Sequence, residues 1–85
     1  MYLHLGQDTV ILQDEIIGLF DLDNTTSSHI TRDFLRRAEK QGVLQTVGED
    51  IPRSFVLVQT EDTQAVYLSQ LSTTTLKERT NEQPA

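Results

Sequence analysis

The chain has 85 residues, with 7 Lys and Arg against 13 Asp and Glu, a formal net charge of −6 and a pI near 4.6. So short a chain holds one domain, the absence of cysteine excludes disulfides and thiolate metal sites, and 36% hydrophobic residues are too many for a disordered tail. The acidic excess repels DNA overall, no apolar run approaches the ~20 residues that span a bilayer, and Tyr2-Leu3-His4-Leu5 lacks the basic and apolar regions of a signal peptide.

The first third of the chain has strand character. Tyr2 to Leu5 alternates around His4, and Gly6-Gln7-Asp8 supplies a turn. Thr9-Val10-Ile11-Leu12 is a β-branched run, followed by the polar pair Gln13-Asp14. Ile16-Ile17-Gly18-Leu19-Phe20 is a third, since Gly18 disfavours a helix and the β-branched and aromatic residues favour a strand. Tight turns between the three predict an antiparallel meander.

A loop of capping residues follows, Asn24 to Ser28, with Ser28 as the expected N-cap. A helix is expected from His29 to Gln41, ended by Gly42. Its apolar face is Ile30, Phe34, Leu35 and Ala38, which must pack on a sheet. Val43 to Val47 returns to strand and ends at Gly48-Glu49-Asp50. Pro52 precedes the strand Ser54 to Val58, where its missing N–H does no harm. Glu61 to Gln64 turns the chain into Ala65 to Ser69, and Leu76 to Arg79 adds a helix of one or two turns. The expectation is one α+β domain over residues 1–80. It has a small antiparallel sheet of about five to six strands, one main helix and a short C-terminal helix. Residues 81–85 have nothing to bury and form a flexible tail.

Chemistry is sparse. His4 and His29 stand alone, without metal-ligand spacing. Asp21, Asp23 and Asn24 open like an EF-hand loop, but its later Gly and Glu are missing. The four glycines are isolated and cradle no phosphate, and the Ser and Thr residues have no His base nearby. Neither enzyme activity, nor a cofactor, nor a small-molecule substrate is expected.

Charge distribution is more informative. Residues 1–31 carry five acids and no Lys or Arg, whereas Arg32, Arg36, Arg37 and Lys40 belong to one helix and lie opposite its apolar arc. A solvated helix face explains this in a monomer. Repeated around a symmetric oligomer, the same stripe becomes a belt that many phosphates can meet. Arg53 stands apart, at the entry of a strand.

Tyr2 to Gly6, Ile16 to Asp21, Pro52-Arg53-Ser54 and Tyr67 to Lys77 together resemble the RemA/RemB family of extracellular matrix regulatory proteins. The likeness covers nearly all of residues 1–79. It implies a small α+β subunit that assembles into a ring, binds DNA through repeated arginines and activates biofilm matrix genes; the lack of a signal peptide or membrane span separately leads to the expectation of a cytoplasmic protein. Arg32 and Arg53 match basic positions of RemA-like sequences. An arginine expected ahead of the third strand falls at Glu15, and a pair expected before the fifth falls at Asp50 and Ile51. The first reading is therefore a DNA-binding ring that meets phosphate through Arg53, Arg32, Arg36, Arg37 and Lys40. The alternative is an oligomeric interaction module that works with a RemA-like partner without touching DNA.

Overall fold

A computed structural model describes residues 2–6, 9–22 and 29–81. Strands β1 (Tyr2–Gly6), β2 (Thr9–Leu12) and β3 (Ile16–Asp21) come first, with a short 3-10 turn at Gln13–Glu15 between the last two. Helix α1 (His29–Lys40) follows, then β4 (Leu44–Thr46), β5 (Ser54–Gln59), β6 (Gln64–Ser69) and helix α2 (Thr73–Asn81). The expected Ser28 cap, the turn residues Gln7 and Asp8, and the expected tail beyond Asn81 lie outside the described residues.

The class is α+β, but the strands form two sheets rather than one antiparallel sheet. β1 and β2 make a separate antiparallel hairpin, and the second sheet has the order β3-β5-β6-β4. The expected meander therefore breaks after β2, where the 3-10 turn redirects the chain. β3 pairs with β5 and β5 with β6 in antiparallel fashion, whereas β4 lies parallel to β6. A helix between two strands of one sheet brings this about: β3, α1 and β4 form a crossover, and crossovers join parallel strands. The β5–β6 hairpin fills the gap between the two crossover strands.

The four-stranded sheet is covered on both faces. On one side Val56 and Val58 pack with Leu3, Leu5, Ile11, Val47 and Leu76, so the β1–β2 hairpin and α2 form that layer. On the other, Phe55 and Val66 pack with Leu22 and Ala38, flanked by Phe34 and Leu35 of α1. The Phe55 ring stacks on Phe20 at 4.7 Å between centroids and meets Phe34 at 6.0 Å. Phe20 in turn lies over Gly18, where a Cβ would collide with the ring. Ile30 departs from the expected apolar face: it is 79% exposed, at the lip of an open cleft shared with Phe20 and Phe55.

Both helices have defined ends. Val43 N–H donates to the Ala38 carbonyl (3.1 Å) and Gly42 N–H to the Glu39 carbonyl (3.1 Å), with Gly42 at φ 76°. This is a Schellman closure, as the glycine implied. α2 starts three residues before the expected Leu76, because Ser72 caps it: the Ser72 hydroxyl accepts from Thr75 N–H at 3.1 Å.

The hairpin layer shares no ladder with the main sheet, so side chains make the joints. Ser69, fully buried, donates its hydroxyl to the Leu5 carbonyl (2.8 Å) and accepts from Leu71 N–H (3.1 Å). Its register partner Ser54 donates to the Leu71 carbonyl at 2.7 Å. Removing one buried partner leaves the other groups unsatisfied. Ser69→Ala is therefore expected to lower unfolding stability by about 1–3 kcal/mol in urea melts, while Thr60→Ala, at the β5–β6 turn, stays within about 0.5 kcal/mol. Equal losses at both sites would refute this assignment of the interlayer joint.

Candidate nucleic-acid interface

Packing of Phe34, Leu35 and Ala38 on the sheet fixes the rotation of α1. Arg32, Arg36 and Lys40, spaced at i, i+4 and i+8, then share the outward face, and all three are exposed. Arg37 is exposed on the flank, where it lines a shallow groove with Gln41 and Gln64. Arg37 and Lys40 also sit in the last helical turn, where the macrodipole favours cations.

Asp33 tempers this ridge. Its carboxylate lies 3.8 Å from Arg36 Nη1 and 3.5 Å from His29 Nε2. Exposed pairs of this kind are weak, typically about 0–1 kcal/mol, so Arg36 can exchange Asp33 for another anion.

Arg53 belongs to a different part of the molecule. Its backbone N–H donates to the Ser69 carbonyl (2.8 Å) and its carbonyl accepts from Leu22 N–H (3.0 Å), which fixes it at one end of the sheet. Its side chain is exposed. Arg37 neighbours Gln64, at the opposite end of β6 from Ser69. Five residue steps of about 3.3 Å separate those ends, or roughly 17 Å. A single chain thus brings together Arg32, Arg36 and Lys40, adds Arg37 at their side, and keeps Arg53 at the other end of β6 from Arg37.

The acidic replacements also have clear places. Glu15 is half-buried in the 3-10 turn that leads into β3. Asp50 and Ile51 are exposed in the loop before β5. Gln70 holds that loop: with its amide oxygen turned toward it, the side chain accepts from Glu49 N–H (2.7 Å) and Asp50 N–H (2.6 Å). Gly48 permits this approach, because its φ of 88° and its closeness to the Gln70 amide suit no side chain.

Two structural residues were not evident from the sequence. Gln70 is one, although the lone Gly48 before an acidic pair hinted at a constrained turn. Arg79 is the other, donating from Nη1 to the His4 carbonyl at 3.0 Å and so tying α2 to β1. Among the described residues, no three of His, Asp and Glu gather as a metal site, and no helix is long and apolar enough to cross a membrane.

No protein-family model matches the chain. It is 38% identical over 79 residues to the extracellular matrix regulatory protein B of Bacillus subtilis (strain 168), an alignment that covers 93% of this chain and 89% of that protein.

The two kinds of cation should separate in stability measurements. Arg32→Ala and Lys40→Ala should each change unfolding free energy by less than about 0.5 kcal/mol. Arg79→Ala, which removes a hydrogen bond from a charged donor, should cost about 1–2 kcal/mol. A ridge variant as damaging as Arg79→Ala would mean that the ridge serves the fold.

Proposed function

The chain belongs to the family of extracellular matrix regulatory protein B, and from that premise we propose that it is a DNA-binding transcriptional regulator of biofilm matrix genes. In this reading it works in the cytoplasm as a homo-oligomeric ring, with no catalytic step and no cofactor. The observation that carries the proposal is the exposed ridge of Arg32, Arg36 and Lys40, on the face of α1 turned away from the core.

Physical scale decides whether a chain of net charge −6 can act this way. At physiological ionic strength the Debye length is about 8 Å. Acidic groups farther than that from the ridge are largely screened, so the charge of the contacting face matters more than the total. One subunit offers too few phosphate contacts for useful affinity. Several subunits on one closed ring present the ridge repeatedly to the same duplex, and their contacts act together. Binding of this kind is dominated by phosphate and tolerant of sequence.

A second reading has a specific observation behind it. Glu15 and Asp50 stand where RemA-like sequences carry cations, and Arg36 already faces Asp33. These features favour an interaction module that works through a RemA-like partner and leaves DNA to that partner.

Fluorescence titration of a promoter duplex at two salt concentrations separates the readings. Under the first, binding appears at low salt, and each phosphate contact contributes about −0.9 to the slope of log K against log salt. Arg32→Ala and Arg36→Ala should each flatten that slope by about one for every subunit engaged. Asp33→Asn, by releasing Arg36, should tighten binding. No affinity at low salt, or affinity indifferent to the Arg32→Ala, Arg36→Ala double variant, would leave the partner-mediated reading standing.

A further inference from the structure

Between the N-terminal half of α1 and strands β3 and β5 lies an open cleft of about 240 Å³, lined by Phe20, Ile30, Thr31, Phe34, Phe55 and Leu57. Thr31 is the sole polar residue of that lining. The volume exceeds the ~150 Å³ of a cavity that accepts benzene, so an aliphatic side chain fits with room for the backbone that carries it. We infer that the occupant is a second copy of this chain, which inserts Ile51 into the cleft beside Ile30. The inference rests on the oligomeric part of the proposed function and supplies the contact that it requires.

Three observations select this occupant. Ile51 is 86% exposed, more than any other large apolar residue described, so it finds no cover in its own chain. It is also presented on a fixed loop, held by Gln70 on one side and by the Arg53 N–H bond to Ser69 (2.8 Å) on the other. A loop already ordered loses little entropy on docking. The third observation is charge. Glu49 and Asp50, both exposed, precede Ile51, while Arg37 lies on the same flank of α1 as Ile30, two turns further on. Seven helical residues span about 10 Å. The two residue steps from Glu49 to Ile51 reach up to about 7 Å, and the side chains close the remainder. Asp33, the acid on that flank, is offset by its exposed contacts with Arg36 (3.8 Å) and His29 (3.5 Å).

Knob and cleft are unlike patches built from different residues. The loop is held against Gln70 after β6, whereas the cleft is lined by α1, β3 and β5. A contact between unlike patches is heterologous, and repetition of it closes a ring if the rotation per step allows. A single knob buries less than the ~1,200 Å² of a standard stable interface. The contact must therefore continue along the open edge of β3, where Ile17 is also exposed.

The chain contains no cysteine, which makes disulfide trapping clean. Ile51→Cys and Ile30→Cys proteins, mixed and mildly oxidised, should give cross-linked dimers well above either protein oxidised alone. The double variant should give a ladder of higher species. Ile51→Glu, at a position too exposed to disturb folding, should reduce the mass in light scattering to that of a monomer with an unchanged circular dichroism spectrum. If the wild type is oligomeric yet cross-links no better in the mixture, or Ile51→Glu keeps its size, this interface is wrong and the regulatory reading is untouched. If the wild type is itself monomeric at micromolar concentration, both the interface and the ring fail.

Discussion

Phe55 and Leu57 of β5 point to one face of the main sheet while Ser54, Val56 and Val58 point to the other, and neither face can be left in water. A strand with apolar side chains on both sides needs two covers. In so short a chain each cover has to be economical: one helix on the first face, a two-stranded hairpin with a short helix on the second. The whole architecture follows from that need. The hairpin layer lacks a backbone ladder to the sheet, so Leu3, Leu5 and Ile11 hold it by packing, and Ser69 and Arg79 hold its carbonyls. Ser69 is buried yet satisfied in both directions, which makes it a specific joint as well as a stabilising one.

The same constraint explains which parts of the fold were legible beforehand. Local signals agree with the structure where a single mechanism governs them. Gly42 ends α1 by a Schellman closure, Pro52 stands just outside β5, and the chain turns between β5 and β6 over Thr60 to Thr63, with the expected turn residue Gln64 already in β6. Failures came where one element's partner decides its geometry. The run before α1 looked like a meander because three short strands with tight turns usually pair in order. Here the third strand joins the sheet that contains β5, since Phe20 stacks on Phe55 and the hairpin is needed elsewhere. The parallel β4 arrives through the β3–α1–β4 crossover, a connection long enough to return the chain in the same direction, as a tight turn is not. Ser72, three residues ahead of Thr75, carried the signal for the earlier start of α2.

The candidate site was half legible. Helical periodicity alone placed Arg32, Arg36 and Lys40 on one face, since a four-residue spacing fixes this wherever the helix packs. It did not place Arg53 relative to them, because no local rule relates a strand entry to a helix packed across the sheet. Nor did periodicity separate Arg37, which shares the flank of Ile30 rather than the crest of the ridge. Ile30 itself was misplaced for a related reason. A helical wheel reports direction but not closeness, and at Ile30 the helix stands off the sheet across an open cleft lined by Phe20, Phe55 and Leu57.

That shortfall of cover gives the acidic excess a second meaning. Charges on a regulator have two tasks, to meet the polyanion and to order the subunits that meet it, and these tasks favour opposite signs. A uniformly basic chain would bind phosphate well but repel its own copies, whereas an asymmetric one attracts itself through unlike faces. The division is visible in this chain: five acids and no cation before Arg32, cations concentrated on α1, and an acidic loop ahead of Ile51. Because the acidic loop lies at the Gln70 end of β6 and Arg37 at its Gln64 end, attraction between them runs head to tail from one subunit to the next. Glu49 and Asp50, unfavourable if the loop faced a duplex, become favourable if it faces α1 of a neighbour. The acids then bear on which surfaces remain for DNA, and the crest of α1 is the one that such an arrangement leaves open.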